Sequence, residues 1–310
     1  MYSERDLIEG IRRRFGDAKA IVGIGDDAAV LESPSGFSTL FCSDLLVENT
    51  HFRRATHPPE SLGFKAIAVN VSDIGAMGGF PAYCLLSLAV PSDTGEPWID
   101  HFLDGLQRAC EEFGVGLVGG DTAVSERIFI DVSMIGRVRT SHEVGRGGAR
   151  PGDLVYVTGA LGAAARGLEL LGKAALDDPC VYRHLYPAPR HKVGQAVAGD
   201  ATAMIDVSDG LSTDLGHVLE ASGVSARIEA AAIPCAKGAS LDLALHGGED
   251  YELIVTGSGL PPQVDGLPLT RIGEIVASEV RHEVWLVTES GTEPLRSAGW
   301  QHFGGRKTGP

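Results

Sequence analysis

The sequence has no long hydrophobic run, and its apolar stretches fall far short of the roughly 18 residues that cross a membrane as a helix. The first residues, MYSERDLIEGIRRRFG, follow a helical pattern and lack the apolar centre of a secretory signal. Basic residues are scarce as well, because 26 Lys and Arg face 41 Asp and Glu and give a formal net charge of −15. We therefore expect neither a membrane nor a nucleic acid as partner, while a phosphorylated ligand held through metal ions is compatible with this charge.

Cysteines are few, odd in number and scattered, and no two of them form a C-x-x-C motif. They are Cys42, Cys84, Cys110, Cys180 and Cys235. This pattern argues against a disulfide framework and against zinc-type ligand spacing, and it favours the reducing cytoplasm.

Strands and helices alternate in both halves of the 310-residue chain, which predicts an α/β (α+β) protein of two domains. STLFCSD and IFIDVSMIGRV have the pattern of strands, and SLGFKAIAVNVSDIGAM has the pattern of a largely buried helix. The Gly- and Arg-rich stretch TSHEVGRGGARPGD indicates a domain junction. We expect an N-terminal domain at residues 1–139, a linker at 140–152 and a C-terminal domain at 153–310.

Six short segments share one pattern, in which small or apolar residues are followed by one or two acids. They are GIGDD (23–27), CSD (42–44), NVSD (70–73), GGDT (119–122), IDVSDG (205–210) and GGEDYE (247–252). Any one of them alone is typical of a helix cap or a turn. Several follow predicted strands, where α/β proteins gather their sites, so we expect the acids to converge. Such a cluster needs cations, and an all-oxygen ligand set favours Mg²⁺ ions that in turn bind phosphates.

Two nucleotide-binding motifs match only superficially. GIGDDA fits G-x-G-x-x-A, but the chain reaches PSG too soon for the helix that a dinucleotide site requires, and Asp26 and Asp27 would face the pyrophosphate. GLELLGKA resembles a P-loop, but Ala174 replaces the metal-binding Ser or Thr and no strand precedes the motif.

Seven stretches together resemble the thiamine-monophosphate kinase family, in the superfamily of aminoimidazole-ribotide synthetase and selenophosphate synthetase. In chain order they are GIGDDAAV, SDLLVENTHF, GFKAIAVNVSDIGAMGGFP, GGDT, ARPGD, DVSDGLSTDLGH and GGEDYEL. The resemblance implies that ATP phosphorylates thiamine monophosphate to thiamine diphosphate. It also implies that the N-terminal domain binds ATP and metal ions and forms a homodimer by pairing its mixed sheet, with ATP near that interface. The C-terminal α/β domain would complete the substrate and metal site.

The resemblance also implies roles for individual residues. The magnesium ligands would be Asp27, Cys42, Ser43, Asp44, Asp73, Asp121, Asp206 and Asp209. The nucleotide contacts would be Gly120, Asp121, Arg146 and Ser208, and the substrate contacts would be His51, Glu249 and Trp300. We expect no catalytic base and no covalent nucleophile, because the attacking phosphate monoester is mostly dianionic at pH 7.

The chain departs from the family pattern at two places. Cys42 and Ser43 stand where Ser-Thr is frequent, and a thiol is a poor ligand for Mg²⁺, so an outer metal site is expected to differ. LVENTHF also lacks the small residues that are more common just before His51.

Two other functions compete with this interpretation. Another ATP-using synthetase of the superfamily is one, although no cysteine precedes Cys42, as a selenophosphate synthetase would need, and GGEDYEL does not suit an aminoimidazole-ribotide synthetase. A non-catalytic metal- or nucleotide-binding protein is the other. It would explain the acids, but not Arg146, His51 and Trp300 together.

Overall fold

The computed structural model of the chain describes residues 10, 13–14, 34–277 and 282–300. Among these residues the strands are β1 Phe37–Val47, β2 Phe80–Val90, β3 Gly116–Val124, β4 Phe129–Arg139, β5 Leu154–Thr158, β6 Ala203–Asp206, β7 Ser225–Glu229, β8 Leu253–Gly257, β9 Gln263–Val264, β10 Leu267–Val276, β11 Val284–Thr288 and β12 Gly291–Leu295. The α-helices are α1 Pro59–Ala76, α2 Glu96–Phe113, α3 Ala163–Leu170, α4 Pro179–Leu185, α5 His191–Val197, α6 Leu211–Ser222 and α7 Leu241–His246. The predicted α/β class is confirmed.

The chain divides into two compact units. One comprises Met1–Val144 and Leu185–Gly199, and the other comprises Gly145–His184 and Asp200–Pro310. The sequence does not predict the return of Leu185–Gly199 to the first unit, because no composition change marks it. The limits and roles that the sequence predicts for the two domains stay predictions.

The first unit contains a four-stranded mixed sheet with the strand order β1-β4-β2-β3. β4 runs antiparallel to both of its neighbours, whereas β2 and β3 are parallel. Helix α1 is buried on nearly all sides, as its apolar sequence predicts. It packs with α2, whose Phe102 and Leu106 are buried in the same core as β1 and β4.

The other face of this sheet, which we call the outer face, carries apolar side chains with little cover. Along β1 the side chains alternate, so that Leu40 and Leu46 are buried while Phe41 and Leu45 are exposed. Phe41 is 73% exposed, and Leu85 of β2 is exposed as well. An uncovered apolar face of this kind marks an interaction surface more often than a solvated one.

The second unit contains an eight-stranded sheet, in which seven strands follow the order β12-β11-β7-β10-β5-β8-β6 and β9 pairs with β10. β7 and β11 are parallel and the other pairs are antiparallel. Every residue of β6 and β8 is buried, including Asp206 at the end of β6, and most of these residues are apolar. In the described part of the chain, no helix has the length and apolar character needed to span a membrane.

Candidate functional site

In the first unit, β1 and α1 bring two of the predicted metal ligands together. Asp44 of β1 and Asp73 of α1 are joined by a hydrogen bond between their side chains. Burial raises the pKa of Asp44, the bond to Asp73 lowers it, and the charge of Asp131 raises it further. Two carboxylates this close in a poorly hydrated place need a shared proton or a cation.

The two residues before Asp44 point to opposite faces of the sheet, since they are neighbours on one strand. The sulfur of Cys42 lies 3.5 Å from Oδ1 of Asn70 in α1, on the same face as Asp44. The hydroxyl of Ser43 lies on the outer face and donates to Asp131 at 2.9 Å. Ser43 could therefore reach an ion beside Asp44 only through its backbone carbonyl.

Gly120 lies on the edge strand β3 beside Leu86 of β2. Its φ is +155°, and a Cβ at this position would lie only 1.8 Å from the carbonyl oxygen of Leu86. Only glycine fits so close to the neighbouring strand. This backbone requirement is a second reason for the GGDT motif, in addition to any ligand.

Asp121 follows on the same strand and is exposed, with one carboxylate oxygen accepting from the backbone N–H of Thr122 at 2.8 Å. Asp121 pairs with Ser87 of β2, and Ser87 pairs with Asp131 of β4. Residues that pair across strands lie on the same face, and Asp131 bonds to Ser43 on the outer face, so Asp121 lies on the outer face too. Asp44 lies on the other face and on the opposite edge strand. Three strand spacings of about 4.8 Å separate the two strands by about 14 Å. The sheet of one chain therefore does not bring Asp121 to Asp44.

His51 belongs to a tight turn that follows β1. Its Nδ1 accepts a hydrogen bond from the backbone N–H of Val47 at 2.9 Å, and its own backbone N–H donates to the carbonyl of Val47. A neutral imidazole that accepts at Nδ1 carries its proton at Nε2. Asn49 in this turn has a φ of +64°, a conformation that Asn tolerates better than other non-glycine residues.

In the second unit, the acids of IDVSDG gather at the start of α6. Asp206 is buried at the end of β6, and the backbone N–H groups of Asp209 and Gly210 both donate to Oδ2 of Asp214 at 3.0 Å. Burial, followed by the charges of Asp206 and Asp209, raises the pKa of Asp214 to about 8. His217 completes a group in which one ligand atom each of Asp209, Asp214 and His217 lie within 4.8 Å of one another.

Sequence reasoning missed Asp214 and His217 as members of this group. Both lie within the motif DVSDGLSTDLGH, and an acid in the first turn of a helix was the available signal for Asp214. The signal for His217 was its spacing of three residues from Asp214, which places the two side chains on one face of α6.

The loop GGEDYE packs against the chain just before α6. The backbone N–H of Glu249 donates to the carbonyl of Ser208 at 2.8 Å, and the N–H of Tyr251 donates to the carbonyl of Val207 at 2.9 Å. Glu249 and Tyr251 have φ values of +66° and +51°. Non-glycine residues hold this left-handed conformation only where the surroundings fix them, and such positions cluster at functional sites.

The other two acids of this loop bond to protein donors in the interior. Asp250 accepts from the backbone N–H groups of Gly162 and Ala164 and so caps α3, while burial raises its pKa to about 6. Glu252 accepts from the hydroxyl of Thr158 at 2.6 Å. These two acids support the loop, and Glu249 is the one whose side chain reaches the surface, being 28% exposed.

The chain near Trp300 docks on the same helix start. The hydroxyls of Ser297 and Thr213 lie 2.8 Å apart, and the backbone N–H of Trp300 donates to the carbonyl of Asp209 at 3.2 Å. Gly299 allows this approach, because a Cβ there would lie 2.1 Å from the same carbonyl oxygen. The indole is 50% exposed. Glu249 and Trp300 are thus bonded through their backbones to the adjacent residues Ser208 and Asp209.

Arg146 and Asp27 are the remaining predicted residues. Arg146 lies on an exposed loop, and its backbone carbonyl accepts from the hydroxyl of Ser222 at 3.3 Å, a hydroxyl that also accepts from the N–H of Gly148 and of Ala149. Asp27, with the rest of GIGDDAAV, lies outside the described residues.

Comparison with known proteins places this arrangement in a family. Residues 25–138 match the family model of the AIR synthase related protein, N-terminal domain, and residues 150–259 match that of the C-terminal domain. A thiamine-monophosphate kinase of Bacillus subtilis is 36% identical, with 97% of this chain and 99% of that protein aligned. The chain belongs to the thiamine-monophosphate kinase family. A family member from Haemophilus influenzae is 39% identical over 84% of each chain.

Solved structures agree with this family and confirm the resemblance drawn from the motifs. The thiamine-monophosphate kinase of Stenotrophomonas maltophilia superposes with a TM-score of 0.80 at 35% identity, covering 90% of this chain and 95% of that one. A structure described as AaThiL complexed with AMPPCP and TMP gives a TM-score of 0.78 at 36% identity, covering 97% of both chains. The hydrogenase maturation protein HypE, at 20% identity, covers 96% of this chain and 95% of its own with a TM-score of 0.76, and shares the fold.

Proposed function

We propose that this protein transfers the γ-phosphate of ATP to thiamine monophosphate, producing thiamine diphosphate and ADP in the cytoplasm. The observation that carries the proposal is the 36% identity to a thiamine-monophosphate kinase over 97% of the chain. The neighbour complexed with AMPPCP and TMP supports the choice of substrates.

The substrate side of the site uses Glu249 and Trp300. Thiamine monophosphate carries a cationic thiazolium ring and an aminopyrimidine with N–H donors. A half-exposed indole offers a face for a cationic ring, and a partly exposed carboxylate accepts from amino groups or balances the positive charge. His51, with its proton at Nε2, is a suitable donor to a phosphate oxygen.

The acid groups suit Mg²⁺. Asp44 and Asp73 form one pair of hard oxygen ligands, and Asp206 and Asp209 form another group, with Asp27 and Asp121 as further ligands. Cys42 and Ser43 would contribute through backbone carbonyls. The raised pKa of Asp44 and of Asp214 reflects carboxylates crowded together in poorly hydrated places, which is the condition a bound cation relieves. When bound, the ions supply positive charge beside the phosphate oxygens.

The chain's own residues position two anions for direct in-line transfer. The attacking oxygen belongs to a phosphate dianion, so no side chain needs to remove a proton. Arg146 offers a forked set of donors to phosphate oxygens, and Gly120 and Ser208 line the nucleotide. Catalysis then consists of charge neutralisation and alignment, with no phosphorylated enzyme.

We also place the protein in a homodimer through the outer face of the first sheet. Phe41, Leu45 and Leu85 give this face the apolar character that a partner sheet would bury. Asp121 shares that face and lies about 14 Å across the sheet from Asp44. A nucleotide bound near the paired faces would therefore meet Asp121.

The decisive experiment measures thiamine diphosphate and ADP from thiamine monophosphate and ATP, with Mg²⁺ or with EDTA. Equal amounts of both products, formed only with Mg²⁺, would establish the reaction. Folded protein that hydrolyses ATP or binds it without forming thiamine diphosphate would refute the substrate assignment. ADP formation with a different acceptor would favour a synthetase of the superfamily, and binding without turnover would favour a non-catalytic role.

A further inference from the structure

Helix α4 contacts the GGEDYE loop through two consecutive residues to which the proposed mechanism gives no role. Nδ1 of His184 lies 3.1 Å from Oε2 of Glu249, and the side chain of His184 is only 1% exposed. Nη2 of Arg183 lies 3.7 Å from Oε1 of the buried Glu252. One short helix therefore contacts both the supporting acid and the surface-reaching acid of the same loop.

The backbone of this loop is already fixed by other contacts. The N–H of Glu249 is bonded to Ser208, and Asp250 is held by two N–H groups of α3. A glutamate side chain nevertheless has three rotatable bonds, so a fixed backbone does not by itself orient the carboxylate. An interaction at the carboxylate is needed for that.

His184 supplies such an interaction. A ring nitrogen and a carboxylate oxygen 3.1 Å apart attract each other when the nitrogen carries a proton, so the contact acts as an ion pair with His184 protonated at Nδ1. A carboxylate has about four acceptor positions, and the contact to His184 leaves others for a ligand. Because His184 is buried, its own ring is held by packing, and it is a rigid partner for a residue that reaches the surface.

We propose that His184 is a positioning residue, which orients the Glu249 carboxylate to receive the aminopyrimidine or thiazolium part of thiamine monophosphate. This inference rests on the proposed function, and it deepens that function by assigning the recognition of the substrate's organic part to α4 as well as to Glu249. The contact between His184 and the Glu249 carboxylate involves no proposed ATP-binding side chain, so we expect the effect to be confined to thiamine monophosphate.

The test compares three variants of His184 in the full-length protein. His184→Leu removes the donor, His184→Gln places its amide near the position of Nε2, and His184→Asn places its amide near the position of Nδ1. We expect Leu and Gln to raise the KM for thiamine monophosphate about tenfold, as for loss of one close polar contact to a charged group. We expect Asn to stay within about threefold of wild type, and all three to leave the KM for ATP unchanged. Tyr182→Leu, on the exposed side of the same helix, is the matched control.

A double-mutant cycle with Glu249→Gln separates positioning from folding. If His184 acts through Glu249, His184→Gln adds little to the substrate KM once the carboxylate is gone. Additive effects, equal loss in the Asn and Gln variants, or a parallel rise in the KM for ATP would overturn the proposal. If the Leu variant does not fold, the Asn and Gln pair decides the question. Wild-type protein that binds ATP but no thiamine monophosphate, in a calorimetric titration, would overturn the proposed function itself together with this inference.

Discussion

Replacing Asp44 by Asn should not destabilise the metal-free protein, but it should weaken the stabilisation that Mg²⁺ provides. Asp44 and Asp73 are hydrogen-bonded carboxylates, and burial is the main reason that the pKa of Asp44 is raised. An amide at position 44 can donate to Asp73 and removes one negative charge from the pair. We therefore expect the Asp44→Asn variant without divalent ions to be as stable as wild type, or more stable by about 1 kcal/mol.

With Mg²⁺ present, wild type should become more stable than the Asp44→Asn variant. An ion at one hundred times its Kd stabilises the folded protein by about 2.7 kcal/mol, which corresponds to a rise in Tm of roughly 5–10 °C at about 2–4 °C per kcal/mol. The variant lacks one carboxylate ligand, so less than about half of this rise should remain. Turnover should fall at least about a hundredfold, because several kcal/mol of charge stabilisation depend on the ions.

Differential scanning calorimetry in EDTA, in Mg²⁺, and in Mg²⁺ with AMPPCP measures these shifts. Asp93→Asn, which changes an exposed acid of the same unit, controls for net charge and should keep the full rise. An Asp44→Asn protein with the wild-type rise in Tm and wild-type turnover would refute the assignment of Asp44 as a ligand.

Three further predictions follow from other parts of the structure. Burial raises the pKa of Asp250 from 3.8 to about 6. The protonated carboxyl therefore stabilises the folded protein below about pH 4, and this contribution is lost as the pH rises through about 6. In urea unfolding, the free energy of unfolding of wild type should fall by about 3 kcal/mol relative to that of Asp250→Asn between pH 4 and pH 7. Parallel pH profiles of the two proteins would contradict this. Asn49→Val should cost about 1–2 kcal/mol in the same assay because of the φ of +64°, with Asn49→Gly close to neutral; equal effects would show that the turn is not strained. Phe41→Lys should convert a dimer to monomers in light scattering, whereas Leu168→Lys, an exposed residue of the second unit, should not; an unchanged mass for Phe41→Lys would exclude the outer face as the interface.

The sequence was sufficient to predict the α/β class and to select acids that belong together locally. Asp44 and Asp73 meet because a strand and the helix after it pack against each other. The position of Asp121 could not be predicted, because it depends on the order of strands in the sheet, which separates β1 from β3 by two strands. Strand order is set by contacts between residues distant in sequence, and no local pattern encodes it.

The acids of GGEDYE show a second limit of sequence reasoning. Asp250 and Glu252 look like members of an acidic site, yet each bonds to donors inside the protein, at the N-terminus of α3 and at Thr158. The side chains of these two acids point into the protein, whereas that of Glu249 reaches the surface. Which way each side chain points depends on the left-handed backbone at residues 249 and 251. A motif rich in acids therefore combines residues that build the loop with one that the loop presents. The supporting acids explain how a protein can hold Glu249 in a strained conformation. Removing either of them would release the loop while leaving the charge of Glu249, which is the one that a substrate meets, unchanged.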